Sequence, residues 1–361
     1  MKLATVFSGI GAVEQAIKKL NKELEIIFAC DTGERYIDID VNDINSAIAN
    51  LPELEKQKYI KKLYENTKKH NHVKDSYFAN YHIDEKRWYD DIRFVDGTQF
   101  ENKVDLFVGG SPCQSFSIIG KRAGLDDARG TLFYEFARLV NEIKPKVFIF
   151  ENVTGMLTHD KGNTWKVIQE VFDSLGYKIY TDVLNAKDFG IPQDRKRVFV
   201  VGFREDVNDF EFPIPFDLTK TSFDFLESKN IETKHYLGKK GFEFVTNPKY
   251  RNRARVNSNI IQTQKANQQF NWNGDFVFIP LNKVQNNEDI MARAHVGTWN
   301  NQQGVIRQMT YRECLRLMGF PDTFKIVVPN VPAYRQAGNS IVVNVLEEII
   351  KKIMEVVDFD E

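Results

Sequence analysis

The sequence is poor in cysteine, has no long apolar run and carries almost no net charge. Its three cysteines, Cys30, Cys113 and Cys314, are far apart and form no CxxC pair, which argues against a disulfide framework or a zinc site, and we expect no bound metal. No run reaches membrane-spanning length and the start lacks a signal-peptide core, so we expect a cytoplasmic protein without membrane contact. A formal charge of -1 means that any nucleic-acid-binding surface must be local.

Short apolar runs alternate with amphipathic segments from residue 1 to about 205. The runs are LATVF, EIIFA, VDLFVGG, KVFIFEN, KIYTDVL and RVFVVGF, and the segments between them include AVEQAIKKL, TLFYEFARLVNEI and TWKVIQEVFDSLG. Near-continuous apolar strands separated by helices predict an α/β fold, with a Rossmann-like, mostly parallel sheet covered by helices on both faces.

Two regions interrupt this alternation. Residues 38–90 have helical signals and many charges, which predicts a helical insertion in the first domain. Residues 206 to about 305 lose the pattern, and residues 231–310 contain 11 Lys or Arg against 5 Asp or Glu, a local charge of +6. We therefore expect a smaller, irregular second domain with a different role.

Three strand ends in the first half suggest a ligand site. The first strand runs into Ser8-Gly9-Ile10-Gly11 and then a helix, which lets backbone amides approach a ligand, although a tight turn explains the pattern equally well. Asp31 ends the second strand, where related folds place an acid that binds a ribose diol. Asp91 and Ile92 suit the flanks of an adenine, although a loop acid is usually just solvated.

Cys113 and Glu151 follow neighbouring apolar strands. Because parallel strands present their carboxyl ends at one edge of a sheet, the two side chains should lie close together there. A cysteine at a ligand-binding edge is a candidate nucleophile and a carboxyl group beside it a candidate proton donor or substrate ligand, although most cysteines are structural.

A third element is the segment QDRKR. Gln193, Arg195 and Arg197 are spaced by two at the entry of a strand, so all three should project to one face, where guanidinium groups can clamp a carbonyl or phosphate oxygen. Taken alone, a solvated basic turn is the more common explanation.

Seven motifs of this chain, in their order, closely resemble those of the cytosine-C5 DNA methyltransferases. They are FSGIGA, GGSPCQSFS, RGTLFYEF, ENV, QDRKR, RQMTYRECLRLMGFPDTF and YRQAGNSIVVNVLEEI. The resemblance covers residues 1–37, 91–205 and 305–361. It implies methyl transfer from S-adenosylmethionine to C5 of a cytosine that is swung out of a duplex and attacked at C6 by Cys113. The implied catalytic residues are Pro112, Cys113, Glu151, Asn152, Gln193, Arg195 and Arg197.

The same resemblance implies a donor site and a DNA surface. The donor site would comprise Phe7, Ser8, Gly9, Ile10, Gly11, Asp31, Asp91, Ile92, Leu132, Asn339 and Ser340. Where the family usually has a second glycine this chain has Ala12, and its ribose acid is usually Glu, so Glu34 is an alternative to Asp31. The expected DNA contacts are Gln114, Ser117, Lys121, Arg251, Arg253 and Arg255.

The resemblance also sets the expected domains and partners. Residues 1–205 would be the catalytic domain, 206–324 the target-recognition domain, and 325–361 a segment that returns to the catalytic domain. We expect a monomer acting on double-stranded DNA, with a cognate restriction endonuclease as its partner in a restriction-modification system.

Three other functions compete with this one. A tRNA cytosine methyltransferase would share the catalytic motifs, but the separate basic domain favours DNA. A nicotinamide-dependent oxidoreductase would leave SPCQ and ENV without a purpose. A catalytically silent DNA-binding relative would be expected to lack Cys113 or Glu151.

Overall fold

The computed structural model describes residues 1–111, 132–207, 210–229, 231–268, 270 and 272–359. The chain forms two compact units. The first comprises Met1–Leu184, Lys196–Ile214 and Leu346–Glu361, and the second comprises Asn185–Arg195 and Pro215–Val345. The first unit is therefore assembled from three separate pieces of the sequence. In the described part of the chain, every helix is too short or too polar to cross a membrane.

A seven-stranded sheet forms the first unit, in the order β3-β2-β1-β4-β5-β8-β6. Its strands are parallel from β3 to β5, and β8 runs antiparallel to β5. The mostly parallel α/β fold predicted from the sequence is therefore confirmed. The strands are β1 (Lys2–Val6), β2 (Glu25–Cys30), β3 (Trp88–Tyr89), β4 (Leu106–Gly109), β5 (Val147–Val153), β6 (Lys178–Asn185) and β8 (Lys196–Phe203), and β7 (Gln193–Asp194) lies in the second unit.

Helices with one apolar face cover this sheet. The ring of Phe136 stacks on that of Phe107 at 5.0 Å between centroids, and Phe133 and Phe172 meet edge to face at 5.4 Å. Each such buried side chain contributes roughly 1.5–3 kcal/mol, so this aromatic layer anchors the helices. The helices that precede and follow the insertion are α1 (Ala12–Lys19), α5 (Leu132–Ile143), α6 (Gly155–Thr158) and α7 (Asn163–Ser174).

Residues 38–90 are helical, as their charge and apolar spacing predict. They form α2 (Val41–Ile48), α3 (Glu53–Glu65) and α4 (His72–Asn80), followed by the edge strand β3. The insertion has a small core of its own around Ile44, Ile48, Ile60 and Tyr64, which also includes Phe94. Tyr77 of α4 packs in a further cluster with Trp88 and with residues of β2.

The second unit is less regular and contains many short 3-10 turns. A four-stranded sheet in the order β12-β13-β11-β9 carries its core, and β10 pairs with β7. The strands are β9 (Ala254–Val256), β10 (Ile261–Gln262), β11 (Gly274–Pro280), β12 (Gly297–Trp299) and β13 (Gln302–Gln308). The helices are α8 (Lys239–Thr246), α9 (Glu288–Arg293), α10 (Tyr311–Arg316) and α11 (Asn330–Asn339), and α12 (Val343–Val356) continues from this unit into the first.

Candidate functional site

The loop between β1 and α1 has left-handed backbone at Phe7, Gly9 and Gly11, with φ of 53°, 55° and 80°. Glycine adopts such angles without steric cost, so the two glycines allow the tight entry into α1. A Cβ built on Gly9 would lie 3.9 Å from the Phe7 carbonyl oxygen, an ordinary van der Waals contact. Ile10 is buried.

Ser8 and Asp31 tie this loop to the end of β2. The Ser8 hydroxyl accepts a hydrogen bond from the Cys30 amide at 3.0 Å. The two carboxylate oxygens of Asp31 accept from the amides of Gly9 at 2.9 Å and Gly33 at 2.7 Å. Burial raises the pKa of Asp31, while these amide hydrogen bonds act in the opposite direction. Asp31 therefore joins two loops that the sequence only places near the same sheet edge.

Glu34 is engaged differently from Asp31. Its backbone is left-handed, with φ of 56°, and its carboxylate forms an ion pair with Lys69 of the insertion at 3.0 Å. Its side chain is partly exposed, whereas the Asp31 carboxylate is held by two amides. Of the two acids, Asp31 is therefore the one whose carboxylate is fixed by backbone amides of the loops.

Asp91 and Ile92 follow β3. The Asp91 carboxylate caps the short turn Ile92–Phe94, accepts hydrogen bonds from the Arg93 side chain and accepts another from the Tyr64 hydroxyl at 2.5 Å. Ile92 is buried, and Leu132 at the start of α5 packs against the same core cluster. The Asp91 carboxylate thus has protein partners on both oxygens.

Glu14 lies beneath the first loop and is fully buried. One of its oxygens accepts from the hydroxyl of Tyr77 and from that of Thr5. Burial raises the pKa of Glu14 from 4.5 to about 7. The sequence offers little signal for this, because an acid in the first turn of a helix usually faces solvent and complements the helix dipole.

Glu151 and Arg197 form the charged centre at the carboxyl end of β5. The antiparallel pairing of β5 with β8 places Val153 opposite Arg197, and the Arg197 Nε lies 3.0 Å from the Glu151 Oε1. Both side chains are mostly buried, at 16% and 13% exposure, so the ion pair is shielded from solvent. The meeting of these two residues is a consequence of the strand register.

The described residues before Cys113, Gly110 and Ser111, lie against Glu151 and Asn152. The Asn152 amide donates to the Ser111 carbonyl oxygen at 2.8 Å. A Cβ built on Gly110 would lie 2.8 Å from Glu151 Oε2 and 2.9 Å from its carbonyl oxygen, so only glycine allows this approach. The end of β4 and the end of β5 therefore converge, as expected for neighbouring parallel strands.

Gln193 and Arg195 have backbone partners within the second unit. The Arg195 guanidinium donates to the carbonyl oxygens of Gln264, Gly338 and Ser340 at 2.8–3.1 Å, and its side chain is 4% exposed. The Gln193 amide donates to the Leu317 carbonyl oxygen at 2.8 Å. Their contacts therefore differ from those of Arg197, although the spacing of two in the sequence suggests a common role.

Asn339 and Ser340 lie at the end of α11 rather than at the start of the next helix. Ser340 is the C-cap of α11, and α12 begins at Val343. The chain closes one helix at Ser340 before it opens another three residues later. Asn339 is exposed, whereas Ser340 is buried.

The three predicted DNA-binding arginines of the second unit are exposed. Arg255 lies in β9 next to the buried Ala254, and Arg253 lies in the turn that leads into this strand. Arg253 also lies over the Phe244 ring, with its guanidinium carbon 5.5 Å from the ring centroid. Arg251 precedes the strand in a turn.

Five predicted residues lie outside the described part of the chain: Pro112, Cys113, Gln114, Ser117 and Lys121. Within the described residues, the side chains of His70, His72 and Asp75 lie close enough together to hold a metal ion. A hydrogen bond of 2.6 Å between His70 and Asp75 explains the shortest distance in this group. Sequence reasoning also missed Asn71, Tyr77 and Tyr81, whose contacts with the first unit's loops depend on tertiary structure alone.

Comparison with known proteins identifies the family of this chain. The family model for C-5 cytosine-specific DNA methylases matches residues 53–355. Type II methyltransferase M.HpaII of Haemophilus parainfluenzae is 38% identical over 275 residues, which cover 74% of this chain and 76% of that protein. Type II methyltransferase M.HhaI of Haemophilus parahaemolyticus is 36% identical over 274 residues, covering 73% and 81%.

Solved structures share the fold. The S. pombe Dnmt2 methyltransferase matches with a TM-score of 0.65 at 17% identity over 98% of both chains. A mutant of Spodoptera frugiperda DNMT2 matches with a TM-score of 0.62 at 18% identity over 98% of this chain and 99% of that chain. The resemblance seen in the motifs is confirmed, and this chain belongs to the C-5 cytosine-specific DNA methylase family.

Proposed function

We propose that this protein transfers a methyl group from S-adenosylmethionine to C5 of a cytosine that is flipped out of double-stranded DNA. The observation that carries the proposal is the convergence of Glu151, Arg197 and the segment ending at Ser111 on one sheet edge. Ser111 precedes Cys113 by two residues, and two residues span at most about 7 Å. The described chain therefore lies against the buried carboxylate at Gly110, three residues before Cys113.

Each residue of this centre has a distinct task. The Cys113 thiolate would bond to C6 of the cytosine, which makes C5 nucleophilic. After C5 accepts the methyl group, loss of its proton and breakage of the C6–S bond would release the product. Glu151 would bind N3 and the amino group of the base, and Arg197, which holds Glu151 at 3.0 Å, would orient that carboxylate and bind near O2.

Asn152 and Gly110 would fix the position of the segment before the nucleophile relative to the base-binding carboxylate. Asn152 binds the carbonyl oxygen of Ser111, and Gly110 allows the backbone to touch Glu151. Gln193 and Arg195 would act through the backbone they hold, since their side chains bind carbonyl oxygens of the second unit. We therefore place Arg197, rather than Arg195, next to the base.

The loops at the ends of β1 and β2 fit an S-adenosylmethionine molecule. Gly9 has no side chain, which would let a ligand approach its backbone, and α1 starts directly after this loop, where amides attract a carboxylate. Asp31, fixed by two amides, would accept the ribose hydroxyls, and Ile92 would border the adenine. When bound, S-adenosylmethionine supplies an electrophilic methyl group on its sulfonium.

The second unit would recognise the target sequence. Its exposed Arg251, Arg253 and Arg255 suit phosphate contacts, which give affinity and register but little sequence discrimination. We also propose that the protein acts as a monomer and that its methylation protects sites from a cognate restriction endonuclease.

Transfer of labelled methyl groups from S-adenosylmethionine to duplex DNA tests the proposal. We expect Cys113→Ser to abolish transfer and Glu151→Gln to reduce it by about 100-fold or more, in line with the loss of a positioned acid–base group. Glu170→Gln, at an exposed position of α7, is the matched control and should retain full activity.

The same assay separates the alternative functions. Transfer to tRNA with none to DNA would favour the tRNA methyltransferase, and DNA binding without any transfer would favour a silent relative. Equal labelling by wild type and Cys113→Ser would refute the assignment of the nucleophile. Bisulfite sequencing of DNA from expressing cells would then identify the recognition site.

A further inference from the structure

We propose that the helical insertion, residues 38–90, is a positioning element of the methyl-donor site, with Tyr81 and Asn71 as its principal positioning residues. This inference rests on the proposed function, because it concerns the loops that would hold S-adenosylmethionine. It goes beyond that function by assigning a role to a segment with no recognisable motif. The insertion contacts all three loops that follow β1, β2 and β3.

Tyr81 holds the loop after β1. Its hydroxyl donates to the Gly11 carbonyl oxygen at 2.6 Å, and a Cβ built on Gly11 would overlap the Tyr81 ring. Gly11 is the N-cap of α1, in the left-handed region at φ 80°. Because the ring packs directly on this glycine, Tyr81 controls how α1 begins and where its first amides point.

Asn71 holds the loop after β2. Its side-chain amide donates to the Asp31 carbonyl oxygen at 3.2 Å, while its side-chain oxygen caps α4 by accepting from the Lys74 amide at 3.0 Å. A Cβ on Gly33 would overlap the Asn71 side chain, so the two residues are in close contact. The first turn of α4 is thereby joined to the residue proposed to bind the ribose.

The neighbouring lysine strengthens this attachment. Lys69 donates to the Glu34 carbonyl oxygen at 2.9 Å in addition to its ion pair with the Glu34 carboxylate. Backbone carbonyl contacts fix a loop whatever the identity of its side chains. Both Asn71 and Lys69 therefore restrain the chain path of residues 31–34.

The insertion also reaches the loop after β3 and the buried side of the first loop. Tyr64 of α3 donates to the Asp91 carboxylate, and Tyr77 of α4 donates to Glu14 beneath the first loop. Ordering a loop costs conformational entropy, and a loop ordered before binding spares the ligand that cost. The insertion should therefore raise the affinity for the donor without touching the DNA or the reacting carbon.

Donor binding measured by calorimetry in the absence of DNA tests this role. We compare wild type with Tyr81→Phe, Asn71→Ala and the control Tyr59→Phe, which changes an exposed tyrosine of α3. Each test variant loses one part-buried hydrogen bond to a donor-site loop, and Asn71→Ala also loses the cap of α4, so we expect a donor affinity weaker by roughly fivefold or more. The control should match wild type. In steady-state kinetics, the KM for the donor should rise by the same factor while kcat and the DNA affinity stay unchanged.

The outcomes separate this inference from the proposed function. Test variants that bind the donor as tightly as wild type, while wild type binds and transfers normally, refute the inference alone. A wild-type protein that binds no S-adenosylmethionine refutes both. Circular dichroism at the assay temperature identifies a variant that binds the donor weakly only because it is unfolded. A fall in kcat and in DNA affinity along with the rise in the KM for the donor would also overturn a positioning role.

Discussion

Glu14→Gln should make the stability of the first unit less dependent on pH. The folded protein raises the pKa of Glu14 from 4.5 to about 7, so between these values the folded state retains a proton that the unfolded state loses. Stability therefore falls as the pH rises through this window. A shift of this size corresponds to about 3 kcal/mol, which opposes folding in full above pH 7 and vanishes below pH 4.5.

The glutamine variant stays neutral at every pH. Its side-chain oxygen can still accept the hydrogen bonds that Tyr77 and Thr5 donate to Glu14. We therefore expect the variant to be more stable than wild type by about 1–3 kcal/mol at pH 8.5, the lower figure allowing for a buried amide group that lacks a partner. At pH 5 most of this pH-dependent advantage should be lost, and the rest should be lost below pH 4.5.

Urea unfolding followed by tryptophan fluorescence at pH 5, 6, 7 and 8.5 measures this difference. Because other titrating groups are common to both proteins, their effects cancel in the comparison. Glu23→Gln, which removes an exposed carboxyl group of the same unit, serves as the control. A stability difference between Glu14→Gln and wild type that stays constant across the pH range would refute the assignment of a buried, protonated Glu14.

Two further predictions concern the active centre and the DNA surface. Gly110→Ala should lower methyl transfer by roughly 10–100-fold, because its new methyl group would displace Glu151, whereas Gly155→Ala, whose Cβ meets nothing within 4 Å, should be harmless. Replacing Arg253 and Arg255 by alanine should weaken DNA binding at all sequences. The slope of log K against log salt should become shallower by about 0.9 for each phosphate that the protein no longer neutralises. An unchanged slope in a salt titration would exclude a phosphate-binding role for these arginines.

The strand pattern was the most predictable part of the fold. Each of the six apolar runs chosen from the sequence became a strand of the main sheet. The central strands β1, β4 and β5 are mostly buried, which leaves a nearly continuous apolar signal, whereas most of β6 is exposed or half-buried. The meeting of Glu151 with the segment before Cys113 followed from the same rule, since parallel strands end at one edge. Periodicity and strand order were sufficient for that conclusion.

Contacts made by single side chains were less predictable. Arg195 and Arg197 differ by two positions, yet one binds backbone carbonyls and the other binds Glu151, because the chain passes from one compact unit to the other between them. The contacts of Asn71 and Tyr81 produce no periodic pattern in the sequence, since each depends on where α4 lies against loops that are distant in the sequence. Such positions emerge only from tertiary structure.

The assembly of the first unit from three pieces has a consequence for biosynthesis. The apolar side chains of Leu346, Ile349, Ile350 and Ile353 are fully buried, and Glu347 pairs with Lys19 of α1 at 2.6 Å. A ribosome must therefore translate α12 before the amino-terminal layer can be completed. A nascent chain stalled at residue 345 would leave that layer uncovered, so no active enzyme should form before α12 has been translated.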